Sequence, residues 1–498
     1  MDALVAHMNS RRQRIRDEMG GAQKVADLRE AGVLNARERI DLLCDEGSFV
    51  EIGTFVVSAR EQDQSQTPGD GKIGGHARIS GNPVTVVADD RTVKRASTAT
   101  MGSRRSDRLL DQALRAGNPL VVFGESAGAR MPDLLDASTS SEMDLDVPRI
   151  LRARRVPVIS MITGDCFGGS TFEAAQADLV IQTRGSCMAI TSPQLIRSAT
   201  GEVVSEEELG GTSVHDEVTG QIDVVADSDE DAIRITKRIL AVLPQNSWTV
   251  AKRIEEGWDV ESDTRLESLV PTRLQVAYDA ERVIKRVVDP DSFIELQRNF
   301  GKSVKAGLAR LGGFSVMVIA SQPMYQAGAL EPDSCDKMTR LICMAEAYNL
   351  PIITLVDVPG FMVGSAVEHK RLLAKVMTLQ MARVSASVPV LTVVLRKGFG
   401  LGIIAMGGHY AMSDRVYCWP SAAMGLMSGK SGGEVLGTEA FDDADFGPLG
   451  PAGRMRIDEI IDPGETRARL IGDLEQLLNP AGFDPARSRP LLTWPQRW

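Results

Sequence analysis

The sequence predicts an α/β protein made of two copies of one domain, and three observations carry that reading. The first is a repeat at an offset of 232 residues: Gly75–Ala88 (GHARISGNPVTVVA) and Gly307–Ala320 (GLARLGGFSVMVIA) are identical at seven of fourteen positions. About one identity is expected by chance at ordinary residue frequencies. The second is that the same offset pairs Pro119 with Pro351, Gly128 with Gly360, Pro157 with Pro389, and Phe167–Gly168 with Phe399–Gly400. The third is that short apolar runs such as VPVISMIT alternate with helical patterns, the mark of a buried, largely parallel sheet. The period is far longer than the 20–50 residues of a solenoid, so a whole domain is duplicated.

Residues 1–45 read as helical, with apolar positions at Leu28, Val33, Ile40 and Leu43 and a break at Asn35. DEGSFVEIG (45–53) opens the first copy and PDSFIELQ (290–297) the second. That pair stands 244 apart, so the first copy carries about twelve extra residues. They fall in SAREQDQSQTPGDGK (58–72), a polar Gly/Pro stretch that reads as a mobile loop. Each copy continues as strand, turn, helix, apolar strand, Gly-rich turn, helix and strand. Residues 202–216 and 226–244 close the first copy with helices, and the boundary falls within 244–263, giving domains 1–255 and 256–498. Residues 72–245 and 304–475 are expected to superpose with Gly168 over Gly400. The Pro/Arg-rich tail after Asp484 is expected to cover a surface.

Composition narrows the function. Hydrophobic residues make up 43% of the chain and aromatics 5%, with 46 glycines, which indicates an aliphatic core and many tight turns. A net charge of −11 argues against nucleic acid or an anionic membrane as partner of the whole surface, but allows a local basic pocket. Cys44, Cys166, Cys187, Cys335, Cys343 and Cys418 form no C-x-x-C pair, so no metal site is expected, and buried free thiols suit a reducing cytoplasm. The charged N-terminus lacks the apolar core of a signal peptide, and no apolar run reaches the ~18 residues of a membrane span.

Two Gly-rich turns follow strands in the first copy, GESAGAR (124–130) and GDCFGGS (164–170). Their counterparts are VDVPGFMVG (356–364) and RKGFGLG (396–402). A Gly-rich turn between strand and helix exposes successive backbone N–H groups beside the positive helix end. Two such turns on adjacent strands aim two donors at one oxygen, an oxyanion hole for an enolate or a tetrahedral intermediate.

Three rival motifs are present. GESAG also fits the G-x-S-x-G nucleophile elbow, with Ser126 as nucleophile of a serine hydrolase and His215 or His409 as its base. GLMSGKS (425–431) has three residues between its glycines where a phosphate loop needs four. The basic cluster Lys94, Arg95, Arg104, Arg105 and Arg108 reads either as a phosphate clamp or as a solvated helix face.

From end to end the chain resembles the carboxyltransferase (β) subunits of biotin-dependent acyl-CoA carboxylases, the propionyl-CoA and methylcrotonyl-CoA carboxylase group. The segments that carry the resemblance are GVLNARERIDLLCDEGSFVEIG, SAGARM, EELGG, VDVPGF, RKGFG, YCWPSA and IDEIIDPGETRARL. It implies two tandem crotonase-like (ClpP/crotonase) spiral domains, the first facing acyl-CoA and the second facing biotin. It also implies a homo-oligomer, usually a hexamer, whose active site forms where the first domain of one subunit meets the second of another. Carboxybiotin on a separate carrier, made by a biotin carboxylase subunit, would give its carboxyl group to the α carbon of a coenzyme A thioester through an enolate. No M-K-M biotinyl motif is seen, in keeping with a separate carrier. By the resemblance, Gly168 and Gly169, with Ala127 and Gly128 nearby, hold the thioester enolate, while Gly400, Leu401 and Gly402 hold the biotin oxygen. Lys94, Arg95, Ser97, Phe167, Phe361 and Ile404 would contact substrate.

The chain departs from the family pattern in four places. Ala127 replaces a glycine of S-G-G-A-R, and Glu125 an aspartate, giving a carboxylate with a possible acid–base role. KRAS (94–97) replaces F-G-G-S, and Lys94 matches the methylcrotonyl type. RKGFGLGII carries Leu401 for a glycine and Ile404 for an aspartate. The alternatives are a decarboxylase or transcarboxylase subunit using the same site in reverse, and a biotin-independent acyl-CoA enolate enzyme.

Overall fold

The computed structural model describes residues 1–135, 153–260, 263–439, 441, 443–478 and 489–494. They fall into two compact units, Met1–Ala241 and the chain from Val242 onward. No described helix is long and apolar enough to cross a membrane.

The first unit begins with helices Asp2–Glu18, Ala22–Glu30 and Ala36–Leu43. The break read at Asn35 is a helix start. Its side chain accepts from the Arg37 and Glu38 amides, and Glu38 returns a bond to the Asn35 N–H. The strands are β1 (Val50–Glu51), β2 (Lys72–Ile79), β3 (Asn82–Asp89), β4 (Leu120–Ala127), β5 (Val158–Phe167), β6 (Leu179–Thr183), β7 (Cys187–Ala189) and β8 (Val224–Ala226). They form one sheet in the order β1-β2-β3-β4-β5-β6-β8, with β7 also on β5. β1, β2 and β3 pair antiparallel, and the pairs from β3 onward are parallel. Helix Thr100–Ala116 covers the sheet with Leu109, Leu110 and Ala113, and Gly117 at φ 73° ends it.

The second unit repeats this order with β9 (Ile294–Leu296), β10 (Val304–Leu311), β11 (Phe314–Ser321), β12 (Ile352–Val358), β13 (Val390–Phe399), β14 (Arg415–Cys418), β15 (Ala423–Gly425) and β16 (Glu459–Ile460). The register proves the duplication at single-residue resolution. Lys72 pairs with Asp89, and Val304 with Ser321; Thr85 pairs with Leu120, and Met317 with Ile352. Even the irregularity recurs, with register shifts between Gly124 and Ser126 and between Val356 and Val358.

One expectation about a loop needs correcting. The twelve-residue insert is packed in place. It forms two short 3-10 turns, Glu61–Gln66 and Pro68–Gly71, and buries Ser58, Thr67 and Asp70 at 1%, 0% and 2% exposure. Its buried polar groups bond both within the insert and beyond it: Thr67 Oγ1 accepts from the Ser58 amide at 3.0 Å, and Ser58 Oγ donates to Asp133 at 3.0 Å. Polarity alone could not distinguish a solvated loop from one held down by hydrogen bonds to distant residues. The tail reads as expected where it is described: Leu491 is buried and Arg489 donates to the Ala347 carbonyl at 3.0 Å. The remainder of that tail lies outside the described residues.

Candidate active site

In the first unit the two Gly-rich turns converge. Gly128 (φ 93°) leaves β4 and Gly168 (φ 65°) leaves β5. A side-chain carbon on Gly168 would stand 3.4 Å from Gly128 Cα and 3.6 Å from the Ala129 nitrogen. Both glycine amides are already committed: Gly168 N–H donates to the Ile190 carbonyl at 3.1 Å, and Gly128 N–H to Ser126 Oγ at 3.2 Å. Ala129 sits in a parallel bridge with Thr98, in which the Gly128 carbonyl accepts from Thr98 and the Arg130 amide donates to Thr98. The peptide alternation therefore turns the Ala129 N–H away from Thr98, on the side of Gly168. Gly169 is the first residue of helix Gly169–Ala175, where an amide has no acceptor within its own helix. Ala127 is exposed and Phe167 buried at the ends of their strands.

The second unit builds the same pair. Gly360 (φ 133°) and Gly400 (φ 57°) make the turns, and Phe361 bridges Leu330 as Ala129 bridges Thr98. Gly402 lies so close to the first turn that a side-chain carbon there would sit 2.8 Å from Gly360 Cα. Only glycine lets the strands approach this far. Leu401 is 63% exposed, so its side chain points out of the turn and leaves the approach of Gly402 to Gly360 undisturbed. Ile404 lies half-buried on the same helix, Gly400–Ala405.

A third feature separates the copies. Lys94, Arg95 and Ala96 hold φ of 48°, 54° and 53°, and the equivalent Gln326, Ala327 and Gly328 hold 48°, 53° and 87°. The backbone is the same and the charge is not. The first turn carries two exposed cations. Lys94 Nζ donates to Gln66 at 2.9 Å, and Arg95 lies 3.8 Å from Asp165. In the second copy the turn is neutral and the cation lies beneath it, with Lys397 Nζ donating to the Ala327 carbonyl at 2.9 Å. Ser97 Oγ donates back to the Lys94 carbonyl at 2.8 Å. The wider basic cluster is divided: Arg105 is buried, donating to Glu51 at 3.2 Å and to the Lys72 carbonyl, while Arg108 pairs with Asp111 on the exposed helix face.

The elbow reading meets contrary geometry. Ser126 is 0% exposed, and its Oγ accepts from the Gly128 amide and lies 3.4 Å from Thr98 Oγ1. His215 is engaged elsewhere, with Thr219 at 2.8 Å and the Met188 carbonyl at 2.7 Å, and His409 stacks on Tyr410. Ser126 shapes a turn. Glu125, beside it, is held by Arg39 at 2.8 Å and by Arg91 at 2.8 Å. Burial pushes its carboxyl above the usual range, opposed by those two cations. In the second copy Asp357 takes this place, with Arg396 at 3.0 Å and Lys397 at 3.4 Å. A carboxylate held by two cations stands at the strand bulge in both copies, although the cations come from different elements.

Comparison with known proteins agrees with this geometry. Residues 27–446 match the model of the carboxyl transferase domain. The chain belongs to the carboxyl transferase family. It is 32% identical to the methylmalonyl-CoA carboxyltransferase 12S subunit of Propionibacterium freudenreichii subsp. shermanii, over 98% of this chain and 96% of that protein. It is 33% identical to the carboxyltransferase subunit of propionyl-CoA carboxylase from Haloferax mediterranei, over 92% and 93%. A transcarboxylase 12S crystal structure, a hexamer assembly with methylmalonyl-coenzyme A and methylmalonic acid bound, superposes with a TM-score of 0.91 at 32% identity, covering 98% of each chain. This carboxyl transferase therefore has the two-copy crotonase-like fold, and its activity is transfer of a carboxyl group involving an acyl-CoA, with the biotin dependence of its family.

The turns of this carboxyl transferase were legible from its glycines. Ala129 was not, because nothing in its residue type marks it. The repeat held the signal, since the same offset maps Ala129 onto Phe361.

Proposed function

We propose that the first copy (1–255) binds the acyl-CoA and holds its enolate, and that the second (256–498) receives biotin from a carrier protein. The observation that carries this is the charge difference between equivalent turns. Lys94 and Arg95 offer two exposed cations to the coenzyme's phosphates, whereas Gln326 and Ala327 form a neutral turn. A neutral turn with an outward Leu401 fits biotin, which, unlike the coenzyme, has no phosphates for exposed cations to meet. Phe361 offers that ring an apolar face, and Ile404 borders the same turn. Carrier-borne biotin supplies the carboxyl group, and the chain's residues do the rest.

Two N–H donors, from Ala129 and Gly169, face the thioester oxygen and stabilise the charge that develops when the α proton leaves. Preorganised donors of this kind are typically worth about 10²–10³ each in rate. Gly168 and Gly128 shape the hole, their own amides being bonded to Ile190 and Ser126. The Phe361 and Leu401 amides form the matching pair for the biotin oxygen, and Gly400 and Gly402 bring them together. The α proton would pass to the biotin ureido nitrogen that has given up its carboxyl group, so neither hole needs a side-chain base.

The partners that fit are a biotin carboxylase/biotin carrier subunit and further copies of this chain, in a cytoplasmic hexamer. Helix Leu372–Ser385 exposes Leu373, Met377, Met381 and Val384 at helical spacing, an apolar stripe of the kind a subunit contact covers. The similarity to the 12S subunit also supports a transcarboxylase direction of use.

The test is a panel of CoA esters assayed with purified protein, with and without a charged biotin carrier. Carrier-dependent carboxylation or decarboxylation is expected. Carrier-independent hydrolysis of the thioester would defeat the proposal.

A further inference from the structure

Duplication provides an internal control: what the fold requires should appear in both copies, and what appears in one serves that copy's ligand. The left-handed turn at Lys94–Ala96 is in both. The structure beneath it is not. Arg130, 6% exposed, donates from Nη1 to Asp70 Oδ1, from Nη2 to the Ser97 carbonyl at 3.1 Å, and from Nε to Ser97 Oγ at 3.2 Å. Ser97 Oγ donates in turn to the Lys94 carbonyl at 2.8 Å. Asp70 Oδ2 accepts from the Gly102 amide at 2.9 Å, fixing the start of helix Thr100–Ala116. Asp70 belongs to the insert that the second copy lacks, and the same insert supplies Gln66 to Lys94 Nζ. At the equivalent positions the second copy has Met362 for Arg130 and Ala329 for Ser97, and the missing insert leaves nothing in the place of Asp70. It holds the same backbone without any of these three groups.

Left-handed backbone is unfavourable for residues with a side chain, so three in succession need an external hold. In the second copy Gly328 relieves one position and Lys397 caps the turn from below. In the first copy all three are non-glycine, and the hold leaves both turn cations facing outward.

We infer that Arg130, with Asp70, is a positioning residue for coenzyme recognition: the pair clamps the insert to the Lys94–Ser97 turn and so sets Lys94 and Arg95 against the phosphates of the coenzyme's nucleotide. This rests on the assignment of that turn to acyl-CoA made above. Arg130 serves the Ala129 bridge only through its backbone amide, which substitution leaves in place, whereas its side chain reaches Ser97 and Asp70, so loss of the side chain acts on the nucleotide end.

The test measures binding of CoA and of pantetheine, which lacks the nucleotide, to the full-length protein by calorimetry. Arg130→Met installs the second copy's residue, and Asp70→Asn keeps the shape while removing the charge. CoA affinity should fall about tenfold in both, the scale of lost charge-assisted hydrogen bonds. Pantetheine affinity should be unchanged, and Arg130→Lys should recover part of the loss. Equal weakening of CoA and pantetheine, which a general structural role would produce, overturns the inference, and so does unchanged CoA affinity in both variants. Wild-type protein that fails to bind CoA would instead remove the acyl-CoA assignment on which the inference rests.

Discussion

Arg39 donates from Nη1 to Glu125 Oε2 at 2.8 Å, and both side chains are shut off from solvent. The arginine comes from helix Ala36–Leu43 and also bonds Asp229 at 2.7 Å, so it joins the N-terminal helices, the bulge of β4 and helix Asp229–Val242. Gly164 makes room for this, since a side-chain carbon there would meet Glu125 Oε1 at 2.5 Å.

That pairing makes Glu125 structural. Arg39→Met leaves the buried Glu125 carboxylate with Arg91 alone and should cost about 1.5–3 kcal/mol of stability in chemical denaturation, the scale of a lost hydrogen bond to a charged group. Glu125→Gln should leave the pH dependence of turnover unshifted. Loss of one limb of the pH–rate profile in Glu125→Gln would instead make Glu125 the acid or base.

Gly169 allows a clean deletion of a donor. Proline is tolerated at the first position of a helix, so Gly169→Pro removes the N–H while keeping the helix. Turnover should fall about 10²–10³-fold. Gly169→Ala keeps the donor, and its carbon would stand 3.3 Å from Thr98 Cγ2, a contact that needs only a small shift. It should remain within about tenfold of wild type, well short of the loss of a donor. Equal damage from the two substitutions would mean that crowding, and not the amide, is at work.

Ser126→Ala should retain turnover, because the hydroxyl serves the Gly128 amide inside a closed turn. A fluorophosphonate should leave Ser126 unlabelled. Covalent labelling there would reinstate the hydrolase.

Leu401→Gly should preserve or raise carboxyl transfer to free biotin, since the exposed side chain leaves and the amide stays. Gly402→Ala should suppress it, as the added carbon would lie 2.8 Å from Gly360 Cα and force the two turns apart. Normal transfer in Gly402→Ala would show that the second turn pair has no part in the reaction.

Acid stability should depend on Glu281. Burial raises its carboxyl, but hydrogen bonds from Lys285 and Lys305 outweigh this and lower it from 4.5 to about 2. A depressed carboxylate stabilises the fold above its unfolded value and loses that contribution as pH falls from 4.5 towards 2. Lys305→Met should flatten the decline of the denaturation midpoint across that window. An unchanged pH slope would show that the pair contributes nothing.

The sequence by itself determined the duplication, the succession of elements along each copy and the places of the turns. These follow from local chemistry: alternation of apolar runs, and glycines where φ must be positive. A 232-residue offset seen in Gly75–Ala88 reappears in the register Gly75↔Val86 and Gly307↔Val318 because side-chain period and strand pairing are the same constraint. Tertiary structure decided which amides are used. Gly168 and Gly128 look like donors in the sequence, yet Ile190 takes one N–H and Ser126 Oγ the other, leaving Ala129 and Gly169 as the proposed pair. It also decided that the polar insert folds down, because Asp70 meets an arginine 60 residues away. A backbone amide has no residue type of its own, and a polar loop carries no record of its distant partner. Both are settled only when the strands that hold them are brought side by side.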